Sequence, residues 1–61
     1  MLTEQRYEEI YHLLEREGSV RTITLCNALQ TSRETIRRDL EAMEAKGMLR
    51  RIRGGAMKLD K

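Results

Sequence analysis

The chain has 61 residues, 39% of them hydrophobic, with 12 Lys or Arg against 10 Asp or Glu, which gives a formal net charge of +2. This length allows one small domain, near the lower limit at which a single core holds a fold without disulfides or metal, and it leaves little room for an enzyme's pocket. With no Phe, no Trp and two Tyr, the core must be built from Leu, Ile, Met and Ala, a composition that favours packed helices over a β-sandwich.

The cysteine content and the hydropathy of the chain indicate the cellular compartment in which we expect the protein. The single cysteine, Cys26, has no partner for an intramolecular disulfide, and no second thiol lies at metal-ligand spacing. No run approaches about eighteen apolar residues, and the opening stretch MLTEQRYEEI is too charged for the core of a signal peptide. We therefore expect a soluble, cytoplasmic protein that uses no metal and no cofactor.

The charge is distributed unevenly along the chain. Residues 1–31 carry three Arg and five Glu, a net charge of 3 − 5 = −2, whereas residues 32–61 carry nine Lys or Arg and five acids, a net charge of 9 − 5 = +4. Positive charge gathered in one half indicates a polyanionic partner.

The first predicted helix runs over about 3–17, with Thr3 as its N-cap, Glu4 near the positive end of the dipole and Gly18 after its end. Its apolar stripe consists of Tyr7, Ile10, Leu13 and Leu14.

A turn and a short extended piece follow at 18–21, GSVR, and a second helix is predicted over about 22–29. Its buried side holds Leu25, Cys26 and Leu29. Cys26 is expected to be a small core residue rather than a nucleophile, because a catalytic thiol needs a basic partner and nothing brings His12 near it.

The break QTS at 30–32 leads into a third helix over about 33–46, with Ser32 as N-cap and Gly47 after its end. The buried stripe of this helix consists of Ile36, Leu40 and Met43. Around the rest of its circumference, Arg38 and Glu34 lie opposite that stripe, and Thr35 and Arg37 flank it.

Beyond the third helix the apolar pattern has period two. MLRRIRGGAMKL predicts two strands, about 48–53 and 56–59, joined by a tight turn at Gly54-Gly55. Leu49 and the flank around Ile52 are expected to face the helices, and Arg51 and Arg53 the opposite side.

Three helices, a three-residue turn between the last two and a two-stranded hairpin describe a winged helix-turn-helix, a mainly α fold with a small β-hairpin, occupying residues 1–61. In that geometry the helix after the turn enters the DNA major groove, and the preceding helix braces it across the backbone.

The chain also resembles, over roughly residues 6–57, the N-terminal DNA-binding domain of DeoR-type bacterial transcriptional repressors. The resemblance rests on Arg6, Ile10 and Leu14, on Ser32, on TIRRDL at 35–40 and on RGGA at 53–56. It implies recognition-helix residues at Ser32, Thr35, Arg37 and Arg38, wing residues at Arg53, Gly54 and Gly55, and core residues at Ile36, Leu40 and Leu49.

Two features depart from the family pattern. The glycine and valine typical before the serine are replaced by Gln30 and Thr31, and a non-glycine at a position that often takes positive φ costs about 1 kcal/mol. The histidine common before the wing glycines is replaced by Arg53, which adds charge where a phosphate can lie.

The resemblance further implies a larger protein. Members of this family continue into a C-terminal domain that resembles sugar-phosphate isomerases, senses a phosphorylated sugar and holds the oligomer together. We expect this chain to be the isolated N-terminal domain, monomeric or weakly associating, with the effector domain absent and the full-length protein a homo-oligomer.

We assign the contacts to double-stranded DNA by chemistry. Thr35 and Arg38 are the candidates to read bases, since an arginine fork matches the two acceptors on guanine. The candidates to hold phosphates are Ser32, Arg33, Arg37, Arg51, Arg53, Gly54 and Gly55. Asp39 would repel phosphate, so we expect it to orient an arginine or cap a neighbouring group. The alternative for the arginines is that they pair with Glu34 or Glu41 and merely solvate an exposed helix face.

These residues predict sequence-specific DNA binding by a transcriptional regulator, a repressor of a sugar or carbohydrate operon by the resemblance. The alternative is a winged-helix module that binds protein, which would require an exposed apolar patch. No paired carboxylates, catalytic triad or metal cluster indicate an enzyme.

Overall fold

The computed structural model describes residues 2–59. In chain order its elements are α1 (Thr3–Glu17), β1 (Ser19–Arg21), α2 (Thr22–Leu29), α3 (Arg33–Ala45), β2 (Leu49–Ile52) and β3 (Gly55–Lys58). Three helices with a small antiparallel sheet confirm the predicted fold class, a winged helix-turn-helix. We call β2, β3 and the turn between them the wing.

The sheet has three strands, whereas the sequence predicted only a two-stranded hairpin. β3 lies between β1 and β2 and pairs antiparallel with both. β1 was expected only as an extended piece, because three residues are too few to show a period. Its one buried residue, Val20, lies directly opposite the buried Ala56 of β3. The extra strand ties the wing to the segment between α1 and α2.

The turn of the wing lies one residue earlier than predicted. Ile52 pairs with Gly55, so the two loop residues are Arg53 and Gly54, and the strands are shorter than 48–53 and shifted from 56–59. Gly54 has a φ of 80°, which favours glycine. Gly55 is needed for a different reason: a Cβ there would lie 2.2 Å from the carbonyl oxygen of Val20. Gly55 therefore permits the close approach of β1 to β3 rather than forming the turn.

The core is a single cluster in which the apolar sides of all three helices meet the inner side of the sheet. The predicted stripe of α3 is fully or almost fully buried, and Cys26 is a buried core residue as expected. Tyr7 and Leu13, predicted in the stripe of α1, are only partly buried at its margin. The cluster consists of Ile10, Leu14, Val20, Leu25, Cys26, Leu29, Ile36, Leu40, Met43, Leu49 and Ala56.

The N-terminus of α3 is capped as predicted. Oγ of Ser32 accepts a hydrogen bond of 3.2 Å from the backbone N–H of Thr35. Just before it, Gln30 takes the left-handed conformation with a φ of 55°, so this chain adopts the turn without the glycine that the position favours. These two features set the direction in which α3 leaves the turn.

The other helix ends agree less uniformly with the predictions. Gly18, with a φ of 87°, ends α1 as expected. The N-cap of α1 is Leu2 rather than Thr3, and the side chain of Gln5 accepts a hydrogen bond of 3.1 Å from the backbone N–H of Leu2. α3 ends at Ala45, one residue before the predicted end, with Lys46 as its C-cap.

An ion pair between α1 and α3 is the main polar contact inside the domain. Nε of Arg6 donates to Oδ2 of Asp39 at 2.5 Å, and Nη2 of Arg6 donates to Oδ1 at 3.1 Å. The two side chains are 16% and 5% exposed. The hydrogen bond to Asp39 raises the pKa of Arg6 above its ordinary value. Asp39 thus orients an arginine, as its sequence context suggested, and that arginine belongs to another helix.

We expect Asp39→Asn to destabilise the domain severely. Removing one partner of a buried ion pair costs about 3–5 kcal/mol, because the other charge is left uncompensated. A domain of this size has a total stability of about the same magnitude. Urea denaturation followed by circular dichroism measures the change. In the double variant Arg6→Met/Asp39→Leu both charges are absent, and it should recover much of the lost stability. An Asp39→Asn variant with the wild-type urea midpoint would contradict the assignment.

The cap of α3 gives a second prediction about stability. We expect Ser32→Ala to lower the free energy of unfolding by about 1 kcal/mol, because the N–H of Thr35 loses its acceptor. Ser32→Gly should cost only a few tenths of a kcal/mol, since glycine is itself favourable at an N-cap. The urea midpoints of the two variants test the difference. Wild-type urea midpoints in both variants would show that the hydroxyl contributes nothing.

Candidate nucleic-acid interface

One side of α3 faces the wing and carries four charged residues in a row. They follow at spacings of four, four and three, which places them along one side of a helix: Arg33, Arg37, Glu41 and Glu44. Oε2 of Glu44 accepts a hydrogen bond of 2.9 Å from the backbone N–H of Arg51. Glu44, at the end of this row, therefore holds the wing, and the arginine half lies beyond that contact.

An open groove of about 530 Å³ lies between the first turn of α2, the side of α3 just described and the wing. It brings together four arginines from three different elements, with apolar side chains between them. Ile23 and Ile52 are 46% and 43% exposed there, whereas Leu40 belongs to the core. The lining residues are Arg21, Thr22, Ile23, Arg33, Glu34, Arg37, Leu40, Arg51, Ile52, Gly54 and Gly55.

The groove unites only part of the predicted site. It includes the phosphate candidates Arg33, Arg37, Arg51, Gly54 and Gly55. Arg53 lines a second groove, on the side of the wing that faces β1 and the end of α1. Ser32, Thr35 and Arg38 line neither groove.

The two candidates for reading bases have different surroundings. The side chain of Arg38 is 74% exposed, and its nearest acidic neighbour is Glu34, with Nε 3.6 Å from Oε2. Thr35 is partly buried, and its hydroxyl accepts a hydrogen bond of 3.1 Å from the hydroxyl of Ser32. Arg38 is therefore free to extend, whereas Thr35 is held at the cap of the helix.

Arginines and glutamates alternate across this surface. Arg37 lies 2.7 Å from Glu34 and 3.5 Å from Glu41, and Glu41 lies 3.5 Å from Arg51. Together with the contact of Arg38 to Glu34, these pairs form a continuous series of neighbouring side chains of alternating charge: Arg38, Glu34, Arg37, Glu41 and Arg51. The pairing of Arg37 and Arg38 that the sequence left open as an alternative is thus present in the free domain. All five side chains are between 39% and 74% exposed, a setting in which such pairs contribute about 0–1 kcal/mol each.

Arg51 lies on the opposite side of the wing from the one predicted. It is directly across from Ala56, which is directly across from Val20, and side chains directly opposite in a sheet share one face. Val20 and Ala56 are buried, so Arg51 lies on the same inner side and reaches Glu41 of α3. Ile52, one residue on, is therefore outward and half-exposed. Leu49, two residues before Arg51 and on the same face, is buried as predicted; the error was to place Ile52 on that face as well.

The lining residues that were not predicted as contacts include Arg21, Ile23 and Ile52. Arg21 ends β1 and is the N-cap residue of α2, which puts it next to the wing turn, where the N–H of Thr22 donates to the carbonyl oxygen of Gly54 at 2.8 Å. Ile23 carried a usable signal, because it is apolar but off the buried side of α2. The position of Arg21 depends on the pairing of β1, which the sequence did not reveal.

The positive charge is on the wing rather than on α3. α3 carries three Arg and the four acids Glu34, Asp39, Glu41 and Glu44, a net charge of 3 − 4 = −1. Residues 49–58 carry three Arg and one Lys and no acid, a net charge of +4. The arginines of α3 therefore matter for where they lie rather than for net charge, and the wing supplies the net positive charge.

Two features are absent from the part of the chain that the structure describes, residues 2–59. No helix there is both long enough and apolar enough to span a membrane. No group of three or more His, Cys, Asp or Glu side chains there is placed to hold a metal ion.

Comparison with known proteins agrees with this geometry. A family model described as a DeoR-like helix-turn-helix domain matches residues 6–61. The chain is 42% identical over 60 residues to the uncharacterized HTH-type transcriptional regulator FruR of Bacillus subtilis, covering 98% of this chain and 24% of that protein. It is 43% identical over 56 residues to the lactose phosphotransferase system repressor of Streptococcus mutans, covering 92% and 22%.

A third relative is the lactose phosphotransferase system repressor of Staphylococcus epidermidis, 47% identical over 51 residues that cover 84% of this chain and 20% of that protein. The chain thus spans about a quarter or less of the length of these curated relatives. No solved structure matches it significantly. The family is one of DNA-binding transcriptional regulators, which is not a class of enzymes. The match over residues 6–61, on a winged fold with an arginine-lined groove, shows that this chain belongs to the DeoR-like helix-turn-helix family.

Proposed function

We propose that this domain binds double-stranded DNA with sequence specificity, with α3 in the major groove and the wing against the flanking backbone. The observation that carries the proposal is the groove in which β1, α3 and the wing together present Arg21, Arg33, Arg37 and Arg51. A row of guanidinium groups spread over three elements fits an extended polyanion better than a small ligand.

A DNA strand matches the mixed chemistry of this groove. Phosphates are anionic and suit the arginines, whereas the deoxyribose between them presents carbon atoms. Ile23 and Ile52, each nearly half exposed, are the apolar side chains on which a sugar can pack. We propose that one strand lies in the groove, with one phosphate between Arg37 and Arg51, a neighbouring phosphate on Arg33 and the turn at Gly54 close to the backbone.

Base reading is assigned to the outer side of α3. Arg38 is highly exposed and lies in the second turn of α3, so its fork can extend to the two acceptors of a guanine. Thr35, one turn earlier, lies on an adjacent part of the helix surface. Three other predicted contacts remain phosphate candidates: Arg53 at the wing turn, Ser32 at the cap and Gly55 through its backbone.

The whole protein is proposed to be a cytoplasmic repressor of genes for sugar metabolism. Support comes from the relatives named lactose phosphotransferase system repressors, which are 43% and 47% identical to this chain. A homo-oligomer that responds to a phosphorylated sugar follows from the same family resemblance. One winged helix reads only a few base pairs, so a second copy on a second half-site would supply the remaining specificity.

We expect binding to duplex DNA to weaken steeply with salt. Neutralising about four to six phosphates predicts a slope of log K against log [salt] of about −4 to −5. Fluorescence anisotropy of a labelled random duplex at a series of KCl concentrations measures it. A flat dependence, or no binding at low salt, would instead favour a winged-helix module that binds protein.

We expect Arg38 and Arg53 to differ in what they contribute. Arg38→Ala should weaken binding to a site selected by this domain from random duplexes by about 5- to 150-fold, the equivalent of about 1–3 kcal/mol, and should weaken binding to random duplex much less. Arg53→Ala should weaken both alike, because a phosphate contact carries no sequence information. The ratio of the two affinities for each variant is the measurement. A change of base preference in Arg53→Ala would show that the wing reads sequence.

A further inference from the structure

We propose that Glu41 is a built-in competitor of DNA phosphate, which holds Arg37 and Arg51 in the free domain and must be displaced when DNA binds. This inference rests on the proposed function, because the competitor it describes acts at the DNA-binding groove. It assigns a regulatory role to an acidic residue of α3 that neither the fold nor DNA contact requires.

Glu41 occupies a position that a phosphate would take. Its Oε2 lies 3.5 Å from Nη1 of Arg37 on α3 and 3.5 Å from Nη1 of Arg51 on the wing. One carboxylate oxygen is therefore shared between two arginines from different walls of the groove. Both arginines are phosphate candidates, and a phosphate oxygen offers them the same anionic acceptor.

The contacts of Glu41 are of the displaceable kind. Glu41 is 47% exposed, and its two partners are 53% and 39% exposed. The distances exceed those of good charge-assisted hydrogen bonds, which are about 2.7–2.9 Å. By contrast, the pair between Arg6 and Asp39 is nearly buried and forms two hydrogen bonds. A phosphate can compete with Glu41 without disturbing the core.

Glu41 is also not needed to hold the wing. The wing is joined to α3 by Glu44, which accepts a hydrogen bond from the backbone N–H of Arg51, and the buried residues Leu49 and Ala56 anchor it in the core. The role of Glu41 is therefore separable from folding. Glu41 instead limits the availability of Arg37 and Arg51 to an external anion.

The expected consequence is that removal of the carboxylate strengthens DNA binding. Two exposed pairs correspond to a change in Kd of about two- to thirtyfold, and Glu41→Gln should tighten binding to random duplex by a factor in that range. Glu8→Gln on α1 makes the same change of net charge at an exposed site and is the matched control. It should change Kd by much less.

A double-mutant cycle separates competition for the arginines from simple repulsion of DNA. In the background Arg37→Gln/Arg51→Gln, a competitor has nothing left to hold, so adding Glu41→Gln should leave Kd unchanged. Repulsion between Glu41 and phosphate would persist in that background. Anisotropy titrations of the wild type and of each variant at one salt concentration provide every value, and urea denaturation checks that each variant is folded.

The outcomes distinguish the two proposals. Tighter binding by Glu41→Gln that disappears without the arginines supports the competitor. An equal gain in both backgrounds, a gain no larger than that of Glu8→Gln, or weaker binding would overturn it while leaving the DNA-binding proposal intact. Absence of duplex binding by the wild type and all variants would overturn both.

Discussion

The two hydrogen bonds between Arg6 and Asp39 fix the rotation of α3 about its own axis, and the DNA-facing surface depends on that rotation. Adjacent residues on a helix point about 100° apart, so holding Asp39 against α1 directs its neighbour Arg38 away from the core. An apolar stripe alone tolerates small rotations, because its contacts are not directional. A carboxylate that accepts two parallel bonds from one guanidinium accepts essentially one orientation.

Ion pairs serve different purposes in the interior and on the surface of this small domain. Arg6 and Asp39 are nearly buried, and their geometry is fixed. Arg37 and Glu41 are about half exposed, belong to the same helix and lie 3.5 Å apart. Water screens the second pair and allows it to exchange partners, whereas desolvation makes the first costly to break. Burial rather than residue type therefore decides which charges build the fold and which remain available to a ligand.

The elements that sequence predicts well are those with many repeats of a period and a local capping signal. α3 is such an element: Ile36, Leu40 and Met43 define its buried stripe, Ser32 its start and Gln30 the unusual turn before it. β1 is the opposite case, since its three residues become a strand only because β3 lies beside them. The partner of Asp39 is 33 residues away, and no local pattern specifies it.

The candidate site was predictable in composition but not in arrangement. The arginines of α3 were identified from their spacing, because the number of residues between two positions of a helix determines whether they lie on the same side of it. The wing was harder to predict, since strand faces alternate with every residue and the prediction placed Leu49 and Ile52, three residues apart, on one face. Leu49 is buried, so Arg51 shares its face and lies over α3, whereas Ile52 faces outward. Arg21 entered the groove through strand pairing, a tertiary effect.

Long-range attraction to DNA and recognition of its sequence depend on different features of the charge distribution. Long-range attraction to DNA depends on net charge and decays over a Debye length of about 8–10 Å. On that scale the wing, at +4 over residues 49–58, attracts the backbone, and α3, at −1, does not. α3 gains favourable contacts only at close range, where Arg37 and Arg38 can exchange glutamate partners for groups on DNA. A helix that is not itself cationic is a poor non-specific binder, so its contribution depends on whether the groove it meets offers the right acceptors. We therefore propose that the wing supplies affinity for any duplex and that α3 supplies discrimination among them.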